Sequence, residues 1–547
     1  MVTGTSPSQT SASQETESAS PPHAAIALFT LILGAFVANI NLSIANVALP
    51  DIGRDLGAST VQQTMVASMF TMGLASSVLY LGAIGDRYGR RKLLLMGAIL
   101  TIPAGFASAY APNIEFLIIA RFVAGLAAGL MFPTTLSLVS ALWRGTAQTR
   151  AIALWSGIGG GAAALGGVIG GAMLEVFWWG SVFLFALPLA VVVIIFALRY
   201  LPVHAGEEDV QVDNIGGVLS VIAVACLILG IQTLPNGFST SMAVLFGVAA
   251  IALVLFIWRQ KRAPRPLVDL DAASVPSFWV AAVAGTITFG SLMGALFLGQ
   301  QFTQNVLGYD TLTAALVTLP MSLALIVVSP FAAKLVAGRG SRITIAIGLV
   351  VVAIGFIVMV VTWRSGAGMF VVLLAYGIVG GGVGICATPA AHALMGSLPV
   401  SRAGMGSAFT DLTRDFGGAI MQAVMGTVLA VVYASYFTKA FASLPPQEAA
   451  NLSDQAAQQI VSSYQGAQQV ASSYPQASSE KLIAAANQAF TEGKSVAYVL
   501  ALVLTLFALG LVLWKYPRRD DERAFFKQMA DRSIQEAAGS ANAGGVA

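Results

Sequence analysis

Apolar runs of about twenty residues, broken by short polar stretches, recur along almost the whole chain. A helix needs ~20 such residues to cross hydrocarbon. Fourteen segments meet that length: Ala24–Leu49, Val61–Leu81, Leu93–Ala111, Phe116–Leu142, Ala151–Leu174, Ser181–Leu201, Ile215–Leu234, Thr240–Trp258, Phe278–Leu298, Leu312–Ala333, Ile343–Trp363, Met369–Met395, Phe416–Phe437 and Ala497–Trp514. The strict alternation of barrel strands is absent, and backbone in lipid must satisfy its own polar groups, so the segments are read as helices. The expected fold class is an all-α integral membrane protein.

Lys and Arg set the direction of the crossings. An even number puts both termini on one side. Placing them inside gathers Arg87, Arg90, Arg91, Lys92, Arg144, Arg150, Arg199, Arg259, Lys334, Arg342 and others there, and leaves Arg54, Arg364, Lys439, Lys481 and Lys494 outside. That asymmetry predicts cytoplasmic termini and a lipid bilayer as the surroundings. One outer loop, Thr438–Val496, is long and rich in Ala, Gln and Ser, with Pro445, Pro446 and Pro475 as breaks. Its composition fits a small extracytoplasmic helical hairpin, with a solvated spacer as the plainer reading.

Composition narrows the classes. Of 547 residues only 10% are charged and 57% are hydrophobic, with mean hydropathy +0.80, against about 25% charged residues in soluble domains. A net charge of +3 is too small to point to nucleic acid. Cys226 and Cys386 lie inside apolar runs, so no disulfide framework, metal site or cofactor is expected. His23, His204 and His392 are far apart, a poor basis for a membrane-embedded enzyme or sensor. The first 22 residues are Ser/Thr-rich and lack Lys and Arg; a disordered tail over 1–23 is expected, not a signal peptide.

A weak repeat supplies the architecture. "LGAIGDRYGRRKLLLMGAIL" between segments 2 and 3 is echoed by "AAKLVAGRGSRITIAIGLV" between segments 10 and 11, with Gly89/Gly340 and Arg91/Arg342 in register. Two six-helix bundles follow, helices 1–6 and 9–14, with helices 7 and 8 inserted; such repeats are typical of transporters. The domain bounds read as 24–201, 202–258 and 259–514, with the outer loop 438–496 and a tail 515–547. In the first loop, Asp86 can pair with arginines or face a helix N-terminus, and its glycines permit a tight turn. That makes the loop a gate; a basic anchor is the simpler alternative.

These residues resemble the major facilitator superfamily, specifically its fourteen-helix drug:proton antiporters. Gly82, Gly85, Asp86, Arg87, Gly89, Arg90, Arg91 and Lys92 follow that family's loop 2–3 signature. "NVALPDI", "WWGSVFLFALP", "QQFTQNVLGY" and "DLTRDFGGA" are similar to its stretches at helices 1, 6, 10 and 13, some of them to the branch exporting quaternary ammonium compounds. The resemblance implies a transporter of amphipathic or cationic small molecules, protons as the coupling partner, and a cavity lined from helices 1, 2, 4, 5, 9, 10 and 13. A narrow-substrate lipid or metabolite transporter is the alternative.

Candidate residues at membrane depth are few. Ionisable groups there cost ~2.5–3.5 kcal/mol on insertion scales. Arg121 shares a face with Gly125 and Gly129, so close helix packing is expected there. The family associates an arginine at this position with proton coupling; snorkelling to the outer surface is the alternative. Asp411, Arg414 and Asp415, read at the start of helix 13, form either an ion-pair knot or a coupling site. His392 is either a proton carrier or a hydrogen-bonded interface group. In helix 5, Gly166, Gly170 and Gly171 resemble the antiporter motif, and Gly167 stands where the family has proline. In helix 1, Asn41 replaces the family's acid. The resemblance makes Asn41 cavity-lining, whereas periodicity favours the stripe Asn39, Ser43 and Asn46, since Asn41 points ~160° away from Asn39 at 100° per residue. Phe70, Gln300 and Gln301 complete the expected cavity.

Overall fold

A computed structural model describes residues 23–58, 60–203, 212–233, 239–264, 266–399, 402–442 and 453–543, and every regular element among them is a helix. The expected crossings appear in order as α1 (Ala24–Asp55), α2 (Thr60–Tyr88), α3 (Arg90–Ala109), α4 (Ile114–Leu142), α5 (Gly145–Leu174), α6 (Ser181–Tyr200), α7 (Asn214–Thr233), α8 (Thr240–Arg262), α9 (Pro276–Asn305), α10 (Leu319–Arg339), α11 (Ser341–Thr362), α12 (Met369–Gly396) and α13 (Ala403–Ala442). Two short helices, α14 (Asp454–Ser462) and α15 (Tyr464–Ala471), lead to the last crossing, α16 (Gln476–Lys515), and α17 (Arg519–Ala543) follows it. Thirteen helices among the described residues are long and apolar enough to cross a membrane. α5 completes the fourteen: its 30 residues reach about 45 Å at 1.5 Å per residue. The tail 1–22, His204, Arg265, Pro445 and Pro446 lie outside the described residues.

Local chemistry starts and stops these helices. The Asn113 side chain accepts the Phe116 N–H at 2.9 Å and Ser239 accepts that of Met242 at 3.2 Å, each satisfying a donor that the helix itself cannot. Pro276 sits in the first turn of α9, where its missing N–H costs nothing. The corners α2–α3 and α10–α11 turn on Gly89 and Gly340, at φ 111° and 81°, backbone that a side chain would strain.

The repeat is visible in three dimensions. Arg91 donates to the Leu198 carbonyl near the end of α6 at 2.7 Å, and Arg342 donates to the Leu513 carbonyl near the end of α16. Each arginine thus ties the second loop of its bundle to the exposed carbonyls of its sixth helix. Close crossings are paired as well. In the first bundle Gly73 of α2 meets Gly125 of α4, and in the second Gly380 and Gly384 of α12 lie against the Met321 and Leu325 backbone of α10. The fourth helix of each bundle carries an interior proline, Pro133 and Pro389. The first core centres on Met131, Phe132 and Trp155, the second on Phe302, Trp363 and Tyr376. Of the inserted pair, α7 docks on α2, where the Tyr80 hydroxyl donates to Asn214 Oδ1 at 2.8 Å, while α8 turns Ile251, Val254 and Trp258 outward.

Two boundaries differ most from expectation. α13 begins at Ala403, not Phe416, so Asp411, Arg414 and Asp415 lie well inside a helix and not at its start. Arg414 meets Asn39 and Phe132 of the first bundle, so this stretch lies at the interface between the bundles and not at a water-facing terminus. α16 begins at Gln476, not Ala497, so Lys481 and Lys494, expected in the outer loop, are helical. The hairpin expected in that loop is present, and it is not a solvated spacer. Ile460, Tyr464, Ala467 and Val470 are buried against the second core, and the Tyr464 hydroxyl bridges the Asn305 carbonyl at 2.5 Å and Asn487 Oδ1 at 2.7 Å.

Candidate functional site

On the face rich in Lys and Arg, the α2–α3 corner reaches across to the second bundle. Asp86 Oδ1 accepts from Arg90 Nε at 3.0 Å and Nη2 at 2.9 Å, and both carboxylate oxygens lie 3.0 Å from the Gly404 N–H at the start of α13. Both contacts expected of Asp86, an arginine and a helix N-terminus, are therefore made at once. Arg90 is fully buried. Gly82 is needed for the approach, because a Cβ there would come within 2.8 Å of the Gly404 carbonyl. Ser407 adds a hydrogen bond from its hydroxyl to the Pro133 carbonyl of α4. Gly85 packs near Leu93 and Thr134, Arg87 lies over the Tyr88 ring at 4.7 Å, and Lys92 is exposed.

Deeper between the bundles, Arg414 Nη2 donates to Asn39 Oδ1 at 2.7 Å, and its guanidinium stacks 4.2 Å over the Phe132 ring. Arg414 Nε is 4.0 Å from Asp415, a long ion pair. Asp411 is 1% exposed, and neither of its carboxylate oxygens accepts a hydrogen bond among the described residues. Asp411, Arg414 and Thr410 line a small cavity together with Trp155 of α5 and Phe289 of α9. This cavity has one cation, one unpaired acid and aromatic walls drawn from both bundles.

Arg121 occupies a second, separate cavity inside the first bundle. It is fully buried, which excludes snorkelling, and donates to the Asn41 carbonyl at 2.9 Å and the Val66 carbonyl at 3.3 Å. The Phe70 and Phe183 rings lie 4.5 Å and 5.2 Å from its guanidinium carbon. Gly125 and Gly129 pack against Phe70 and Ser77 of α2, as the shared face implied. Asn41 lines the same cavity, and its own amide is turned back to the Val37 carbonyl at 2.9 Å. Asn41 and Phe70 are thus brought to Arg121, and neither lines the cavity that holds Asp411. Helical geometry is the reason: Asn39 takes the inter-bundle side, so Asn41 must turn inward.

Other candidates scatter. Gly166 and Gly170 let α5 approach Ser43, Ile40 and Ile44 of α1, and the Ser43 hydroxyl is buried there without a partner among the described residues. Gly171 faces Leu312, and a Cβ at Gly167 would meet open space. The side chain of Asn46 lies outside the described residues. Gln300 and Gln301 are half-buried near the end of α9 and line neither cavity. His392 stacks edge-on to Phe526 of α17 at 5.5 Å, away from the Asp411 cavity lining.

The sequence reading passed over Lys494. It is fully buried, donates to the Trp363 carbonyl, and lies 4.1 Å from the Phe302 ring centre and 5.9 Å from that of Tyr498. Such a box holds an ammonium through ring quadrupoles in place of a carboxylate. The unbroken helical sequence after Pro475 was the signal available.

Comparison with known proteins settles the family. The Major Facilitator Superfamily model matches residues 31–422. The chain belongs to that superfamily. Among facilitator proteins, it is 30% identical over 499 residues to the multidrug efflux pump LfrA of Mycolicibacterium smegmatis, covering 90% of this chain and 96% of that one. It is 31% identical over 506 residues to the multidrug resistance protein Stp of Mycobacterium tuberculosis, covering 90% and 92%. The methyl viologen resistance protein SmvA of Salmonella typhimurium is 28% identical over 497 residues, covering 89% and 97%. A crystal structure of the peptide transporter POT superimposes with TM-score 0.54 at 16% identity, over 88% of this chain and 93% of that one, a likeness of fold. The major facilitator fold, two six-helix bundles with two helices inserted, is therefore the fold of this multi-pass membrane protein.

Proposed function

We propose that this protein is a proton-driven exporter of amphipathic or cationic organic molecules, working by alternating access in the cell membrane. The face rich in Lys and Arg and both termini are cytoplasmic under this reading. The domain bounds 24–201, 202–258 and 259–514 mark the two moving bundles and the inserted pair. Relatives named as a multidrug efflux pump and a multidrug resistance protein support the cargo class.

The observation that carries the coupling is Asp411. A buried carboxylate without a hydrogen-bond donor is stable only when protonated or when a cation stands beside it. A proton and an organic cation therefore compete for the same acid, which is the requirement for exchange. Arg414, held by Asn39 across the bundle interface, keeps a positive charge beside Asp411. For neutral cargo, one proton moved through 100 mV supplies ~2.3 kcal/mol, more than the ~1.4 kcal/mol that a tenfold gradient requires; one-for-one exchange with a monovalent cation moves no net charge and is driven by the proton concentration gradient. Arg121 tunes this from its own cage, and the Asp86 contact closes the cytoplasmic side.

The test is proton release from reconstituted vesicles on addition of candidate drugs. Wild type is expected to exchange drug for protons. Asp411→Asn is expected to bind drug yet release no protons and accumulate nothing against a gradient. Undiminished proton-driven pumping by Asp411→Asn would remove Asp411 from the mechanism.

A further inference from the structure

In the register of the repeat, Ala337 stands where the first bundle has Asp86, and Ser341 where it has Arg90. The second bundle therefore lacks the acid that pins its own corner. The structure fills that place from elsewhere. Glu522 of α17, 4% exposed, accepts the Ser341 N–H at 3.1 Å and the Tyr516 hydroxyl at 2.8 Å. Arg519 and Arg523 each donate to the Ala337 carbonyl at 2.9 Å. A carboxylate thus caps the first turn of α11, and two guanidiniums take the open carbonyl at the end of α10.

α17 also touches the path to the Asp86 contact. Phe526 lies against His392, and a Cβ on Gly396, at the end of α12, would come 3.1 Å from its ring. The start of α13 is in turn packed on the end of α12, since a Cβ on Gly406 would stand 3.0 Å from Met395 Sδ and 3.3 Å from Leu398. Gly404, whose N–H meets Asp86, lies between these contacts and the first bundle. A continuous packed chain runs from Glu522 through Phe526, α12 and the start of α13 to Asp86.

We propose that Glu522 is a positioning residue of the inner gate: by seating α17 on the α10–α11 corner, it aims Gly404 at Asp86 and so sets the balance between closed and open cytoplasmic states. It replaces, from a helix outside the two bundles, the acid that the second repeat lacks. This rests on the alternating-access reading above, but its test does not depend on pumping.

Spin labels at Arg150→Cys and Lys334→Cys, both exposed on this face, in a Cys226→Ala, Cys386→Ala background, report the distance between the bundles. Losing a charge-assisted hydrogen bond of this kind is expected to raise the open-to-closed ratio about tenfold in Glu522→Gln. Phe526→Ala should move it in the same direction, and Glu522→Asp should restore the wild-type distribution. Unmoved distances in Glu522→Gln, with or without a lower melting temperature, would overturn the proposal by leaving Glu522 a folding role alone. Failure of wild type to exchange drug for protons would instead count against the proposed function, while the distances still judge the gate.

Discussion

Asn39 and Asn41 are two positions apart on α1 and serve opposite walls. Asn39 meets Arg414 of the second bundle, whereas Asn41 shares a cavity with Arg121 inside the first. An acid at 41 would therefore find Arg121, whose Nη1 has no hydrogen-bond partner among the described residues, before it found cargo. Asn41→Asp is expected to leave the ratio of dication to monocation export unchanged, since any loss caused by pairing with Arg121 falls on both cargoes alike. Asn39→Asp, which places a charge beside Arg414, should change it strongly. Vesicle uptake with mono- and dications separates the two, and selective gain of dication export in Asn41→Asp would restore it to the cargo path. Periodicity alone revealed that the two asparagines diverge. Which of them met the other bundle could not be read, because the partner, Arg414, lies 375 residues away.

At the scale of elements, the helices were legible and their ends were not. Apolar runs marked every crossing, and Gly89 and Gly340 marked the corners. α13 was cut short because Asp411, Arg414 and Asp415 look like water-facing residues until a second bundle covers them. α16 was cut short because a helix continuing past the membrane loses its apolar signal but not its hydrogen bonds. The hairpin repeats the lesson: Ala and Gln predict its helices, but buried side chains such as Ile460, Tyr464, Ala467 and Val470 reveal its seat. Deleting residues 454–471 should lower the melting temperature in detergent and the yield of monodisperse protein. Tyr464→Phe should cost only about 1 kcal/mol, the worth of its hydrogen bond. A deletion with unchanged melting would show that the hairpin adds nothing to the second core.

For the whole molecule, the two halves share a plan but not its parts. Each has the positive-φ corner, the arginine tied to its sixth helix and the close glycine crossing. Only the first has an acid in its corner that crosses to the other bundle. The observed contacts across the basic face are those of Asp86 with Gly404 and of Ser407 with Pro133, and under the gate proposed above they close it. Asp86→Asn is expected to reach the membrane in normal amount and lose at least about tenfold in transport rate, as for one charge-assisted contact. Normal transport by this variant would leave the loop a basic anchor and no gate.

The dependence of the α10–α11 corner on α17 also imposes an order on assembly. Ser341 and Glu522 are 181 residues apart, and ribosomes add about 5–20 residues per second. The corner therefore waits roughly 10–40 s between its own synthesis and the arrival of its carboxylate. During that interval the second bundle is inserted but its inner corner is unfinished. In a facilitator of this design the basic face gains the contacts that seat α17 only after the last crossing has been synthesised.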